Sequence, residues 1–182
     1  MRRWALAAGI VGTVSSMLFL IAYAARSPAV GVAAEITGGL SAACVIPLAV
    51  RLPPGGVVRV LGVIGLVVVT LARPALSAFP AAWWWPVLFL SVVAGYLLVH
   101  AWLIGVGRRS PGLSRVTRRW AVACGVLVIF SVVAVLVTSF LVPVHPAANV
   151  VVAVPGLLAW LSMPLWFLRL SAERRIGVQP AG

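Results

Sequence analysis

The chain contains no lysine and no aspartate, and its 182 residues include only two glutamates, two cysteines and two histidines. Charged residues make up 9% of the sequence, against about a quarter in ordinary soluble domains, which excludes a water-soluble globular domain. So few acids also exclude carboxylate-built metal sites and paired-carboxylate catalysis. Cys44 and Cys124 are too few for a disulfide framework or a zinc site, and both fall inside apolar runs, where they read as small packing residues. No Ser, His and acid set, no HExxH and no glycine-rich phosphate loop is present. Hydrolytic and nucleotide-driven mechanisms are unsupported, no metal or cofactor is implied, and the reading leans away from an enzyme.

What the sequence has is apolar length. Hydrophobic residues account for 63% of it and the mean hydropathy is +1.17. A bilayer core about 30 Å thick takes about 20 apolar residues per helix, and six runs fit that length, at residues 4–25, 29–50, 57–72, 82–104, 120–142 and 147–168. The expected fold is all-α: one integral membrane domain of six transmembrane helices. The first run also mimics a secretory signal, with Arg2 and Arg3 before it and Ala22, Tyr23 and Ala24 as a small-x-small site. Its apolar stretch exceeds the usual 7 to 15 or so residues of such signals, so it is expected to stay as the first span. The third run is the shortest and ends at Arg73 and Pro74, so snorkelling arginines or a continuation past Pro74 must supply its length.

Arginine supplies all fourteen basic side chains, and their distribution predicts topology. Twelve lie at the N-terminus, between runs two and three or at the start of run three (Arg51 and Arg59), between runs four and five, and at the C-terminus, whereas Arg26 and Arg73 stand alone in the other gaps. Cytoplasmic flanks of membrane helices are enriched in Lys and Arg. The chain should therefore form three antiparallel hairpins in the cell membrane with both termini inside, and Arg26, Arg73 and His145 should face out. The net charge of +12 does not point to nucleic acid, because the arginines flank apolar runs and no polar scaffold accompanies them.

An internal echo accompanies the hairpins. Arg2, Arg3, Trp4, Ala5, Ala7 and Gly9 recur at the same spacing as Arg118, Arg119, Trp120, Ala121, Ala123 and Gly125, and Pro47, Arg51 and Leu52 are echoed by Pro164, Arg169 and Leu170. A repeat about an axis along the membrane normal would account for it.

Few side chains remain for function. Glu35 is the one acid within a span; Glu173 lies in the basic tail, where it is expected to balance Arg174 or Arg175. A charged group in a bilayer costs about 2.5 to 3.5 kcal/mol on insertion scales and faces a partner or a cavity. Gly31, Gly38, Gly39, Ala42 and Ala43 share the face of Glu35, which should point it into the bundle. Either it clasps a local arginine, Arg26 or Arg73, or it faces a cavity and exchanges protons or meets a cation. Trp160, between Pro155 and Pro164, is the candidate cavity wall, and Ser15 and Ser16 are candidate lining residues on the first span. The other tryptophans, including the triplet Trp83 to Trp85, fit interfacial belts. His100 falls near the cytoplasmic end of the fourth span and His145 in an outer turn, too far apart to act together.

The tryptophan-rich stretch Phe79 to Leu90 and the segment Pro155 to Trp160 resemble pieces of the tryptophan-rich sensory protein family. That resemblance covers a small part of the chain, and the family's five spans and central Asn and Trp motif have no counterpart, so its ligand site is not carried over. The expectation is a non-enzymatic unit that binds a small apolar molecule or a membrane-protein partner, as a transporter-like or accessory subunit. A proton-coupled cation or drug antiporter using Glu35 and an isoprenoid- or lipid-modifying enzyme with Glu35 as acid are the alternatives.

Overall fold

The computed structural model describes residues 1–80, 82–140 and 146–173, with side chains left out at 139–140 and 146–148. The turn holding His145, and Arg174 and Arg175, lie outside the described residues. Six α-helices follow one another: α1 Arg2–Ala25, α2 Pro28–Arg51, α3 Val57–Ala78, α4 Trp85–Arg109, α5 Arg115–Phe140 and α6 Pro146–Ala172. All six are long and apolar enough to cross a membrane, and together they form an all-α bundle.

Several helices run further than their apolar runs. Helix α3 continues through Pro74 to Ala78, and α4, α5 and α6 extend over Arg108 and Arg109, Arg115 to Arg119, and Arg169. Hydrogen bonding ends a helix, whereas lipid ends only its apolar stretch, so arginines can occupy helical turns whose heads reach the interface. At the other end of α4 the helix starts later than its run, because Ala82 to Trp84 form a turn closed by Trp85 N–H on the Ala82 carbonyl at 2.9 Å. Between α1 and α2 the turn is tight: Arg26 adopts a left-handed conformation (φ 51°), Ser27 is the cap of α2 and Pro28 opens it. Arg26 has the helix-terminating role commonly taken by glycine.

Each helix packs on its two neighbours in sequence and α1 also packs on α6, which closes the six into a ring. Small residues permit the close approach. Ala5, Ala8, Gly9, Gly12 and Ser15 form the buried stripe of α1, while Ile10, Val14, Met17 and Ile21 are exposed on its outer side, where lipid would cover them. Cross-helix bonds pair Ser15 Oγ with the Ala34 carbonyl at 2.9 Å and Ser41 Oγ with the Ala8 carbonyl at 3.1 Å. Between α2 and α3, Pro74 deprives the Thr70 carbonyl of its helix donor. Gly39 packs directly against that oxygen: a Cβ at Gly39 would stand 2.9 Å from it. The core holds Leu48, Val69, Trp102, Leu103, Val106, Trp166 and Leu170.

Candidate functional site: a chamber inside the ring

Glu35 sits on the third turn of α2 and Arg73 on the last part of α3. Arg73 Nε donates to Glu35 Oε2 at 2.7 Å, with side-chain exposures of 6% for the arginine and 27% for the glutamate. The arginine also reaches the Ala34 carbonyl through Nη2 at 3.5 Å. Its path lies over Gly38, where an added Cβ would overlap the guanidinium. The absent side chain is what lets the cation lie flat across α2. Arg26 is exposed at the end of α1 and makes no ion pair among the described residues. Of the two arginines that stand outside the alternating pattern, Arg73 holds the acid.

Behind the pair is a chamber of about 70 Å³ bounded by α1, α2, α3, α4 and α6. Counted as space open to the centre of a water molecule, that volume holds a handful of waters at roughly 10 to 15 Å³ each, or a ligand of a few heavy atoms. Its polar lining is Arg73, Tyr96, Ser15, Ser16 and Ser41, and Val45, Val99, Met163 and Phe167 belong to its apolar lining. The Tyr96 hydroxyl interacts with both Arg73 and the indole of Trp160. Trp160 lines the wall and is braced from outside the chamber by an edge-to-face contact with Phe19, centroids 5.5 Å apart.

Three residues singled out from the sequence, Ser15, Ser16 and Trp160, thus border the same space as Arg73, with Glu35 bonded to its rim. The hydroxyl of Ser15 is occupied by the Ala34 carbonyl, one residue before Glu35, which ties α1 to the same turn of α2. Sequence reasoning missed Tyr96, Ser41 and Gly38. Tyr96 carried a weak signal as one of only two tyrosines. Gly38 looked like part of a packing stripe, and only the guanidinium above it gives it a further role.

Two other polar groups lie within the helices, His100 fully buried and Ser162 half-buried. His100 Nδ1 is 2.6 Å from the Tyr96 carbonyl, and its Nε2 has no hydrogen-bond partner among the described residues. Ser162 bonds its own helix through the Ala159 carbonyl, accepts from the Trp120 indole at 3.2 Å and lies 3.3 Å from Cys124 Sγ. Among the described residues, no group of three or more His, Cys, Asp and Glu could hold a metal.

The second acid is arranged differently. Glu173 lies just past the end of α6 and accepts from the Ser114 N–H at 3.2 Å and from the Thr117 hydroxyl at 2.6 Å. Thr117 also accepts from Arg169 Nε at 3.0 Å, and its carbonyl takes the Trp166 indole N–H at 2.8 Å. Ser114 caps α5, receiving the Thr117 N–H on Oγ at 3.3 Å. A capping box would place an acid at the third helical position to bond the cap N–H; here the acid comes from just beyond α6 instead. Burial raises the carboxyl pKa of Glu173, but hydrogen bonds from Ser114 and Thr117, aided by Arg169, outweigh it and hold the group below its ordinary value.

Compared with known family models, curated proteins and solved structures, the chain matches none. Its function has to be argued from the geometry of its own side chains.

Proposed function

We propose that the protein is a non-enzymatic, ligand-binding membrane bundle, transporter-like or accessory, whose chamber takes a small molecule with an apolar body and one hydrogen-bond-accepting end. The observation that carries this reading is the mixed lining of the chamber, in which Arg73 and Tyr96 share one small space with Val45, Met163 and Phe167. The accepting end of the ligand would lie against the Arg73 guanidinium and the Tyr96 hydroxyl. Glu35 is then a positioning residue that holds Arg73 and balances its charge. The clasp disfavours a cation exchanger at Glu35, since an incoming cation would have to displace an arginine already bonded at 2.7 Å. It equally disfavours Glu35 as the proton donor of a lipid-modifying enzyme.

The arrangement in the membrane belongs to the same proposal: three antiparallel hairpins in the cell membrane, both termini cytoplasmic. Twelve of fourteen arginines support it through the bias of cytoplasmic flanks. Contacts of opposite chain order, such as Ala8 with Ser41 and Ser15 with Ala34, support the antiparallel pairing. Arg2 Nε bonded to the Ser171 carbonyl at 3.0 Å supports placing the start of α1 and the end of α6 at one face.

Butyrate, butanol and butylammonium are suitable probes, added to the purified protein in nanodiscs while its thermal unfolding is followed. Butyrate and butanol should stabilise it saturably, by about 1.4 kcal/mol at ten times Kd, and butylammonium should not. A Val69→Phe variant, which fills the chamber, should abolish the effect. Stabilisation by butylammonium alone, or by none of the three, would overturn the reading.

A further inference from the structure

A second recess opens at the other end of the bundle, between the last turn of α4 and the first turns of α5. It is a groove of about 790 Å³ bordered by Gly107, Arg115, Arg118, Arg119, Val122 and Val126, among others. Arg115, Arg119, Val122 and Val126 succeed one another at steps of three or four, so they form one stripe along α5: basic for its first turns and apolar beyond. Arg115 and Arg119 are exposed, and neither has a hydrogen-bond or ion-pair partner among the described residues. Arg118 is fixed between them by bonds from Nε to the Gly107 carbonyl at 3.0 Å and from Nη2 to the Arg108 carbonyl at 3.4 Å. It closes the end of α4 and forms the floor at the basic mouth.

Among the described residues, no carboxylate neutralises this mouth. Glu173, the acid at this end, is bonded to Ser114 and Thr117, and Thr117 is fully buried while Arg115 and Arg119 are exposed. The wall beyond the arginines is open and apolar, with Val126 46% and Leu127 39% exposed. A soluble anion would use the arginines and leave that wall unused; an acidic protein segment would have to bury charge against it. A ligand with a phosphate at one end and an alkyl chain at the other uses both.

We propose that this groove is a binding site for an anionic phospholipid, its headgroup phosphate between Arg115 and Arg119 and one acyl chain along Val122, Val126 and Leu127. Basic residues at the edge of a membrane helix attract anionic lipid generally. This groove adds a shaped seat, and selectivity should depend on these two arginines more than on the others. The site is independent of the chamber and of any ligand there.

The test uses the full chain in phosphatidylcholine nanodiscs doped with phosphatidylglycerol, with retained lipid read by native mass spectrometry. Wild type should retain phosphatidylglycerol over phosphatidylcholine. Arg115→Gln with Arg119→Gln should lower that preference about tenfold, whereas Arg2→Gln with Arg3→Gln, the same charge loss at another helix, should leave it within about twofold. Val126→Trp, which keeps every arginine and obstructs the apolar wall, should also release the lipid, so the proposal stays testable if the double arginine variant fails to fold. Millimolar glycerol phosphate should not displace the lipid. Equal loss in the Arg2 and Arg3 variant would show diffuse attraction only, and displacement by glycerol phosphate would show a free-anion site; either result overturns the proposal.

Discussion

The chain has two acids, and it uses them in opposite ways. Glu35 is set against one arginine between apolar helices, with Arg73 almost wholly enclosed. Glu173 lies past the end of α6 and is held by a backbone N–H, a hydroxyl and the nearby Arg169. The first balances a buried charge; the second completes a helix cap. Removing the first therefore strands a cation away from water, whereas removing the second takes one acceptor from the uncharged Ser114 N–H and Thr117 hydroxyl.

That contrast ranks the effects of substitution. Glu35→Gln should be the most damaging, because breaking a buried ion pair from one side costs about 3 to 5 kcal/mol; unfolding by denaturant in mild detergent would measure it. A smaller loss than that of Glu173→Gln would break the comparison. Gly38→Val should come next, since its side chain would occupy the guanidinium's place. It should loosen the clasp and reduce binding of butyrate together with stability, at a cost of about 1 to 3 kcal/mol as for an overpacked site.

Glu173→Gln should cost about 1 kcal/mol, the scale of a hydrogen bond. Here pH sharpens the comparison. The folded-state pKa of Glu173 is depressed, so its contribution is present above the unfolded value and is lost as pH falls through the folded one. Stability measured from pH 6 down to pH 3 should decline in wild type and decline less in Glu173→Gln. At the bottom of the scale, Arg26→Gln should change stability by less than about 0.5 kcal/mol, because the exposed Arg26 is bonded to neither acid.

Much of this was legible in the sequence and some of it could not be. The six helices followed from run length, and the importance of Glu35 followed from the cost of a charge among apolar residues. The sequence narrowed its partner to Arg26 or Arg73, which flank the same end of the bundle. Choosing between them needed three dimensions: α1 stops at Arg26, which leaves that side chain outside, while α3 carries on through Pro74 and turns Arg73 inward. Ser15, Ser16 and Trp160 could be nominated because hydroxyls and prolines inside a span are unusual. Tyr96 and Gly38 could not, since their roles exist only relative to a guanidinium that comes from another helix. Glu173 was read as a surface charge among arginines; its bond to the cap of α5 joins positions 59 residues apart, beyond the reach of any local pattern.

The measurement closest to the central claim, that Glu35 acts by holding Arg73 and not by carrying protons or cations, is a double-mutant cycle on stability with Glu35→Leu, Arg73→Leu and the pair together. Each single substitution should be strongly destabilising and the pair much less so, with a coupling of about 2 kcal/mol or more. Additive losses would show that the two side chains do not depend on each other and would contradict the account.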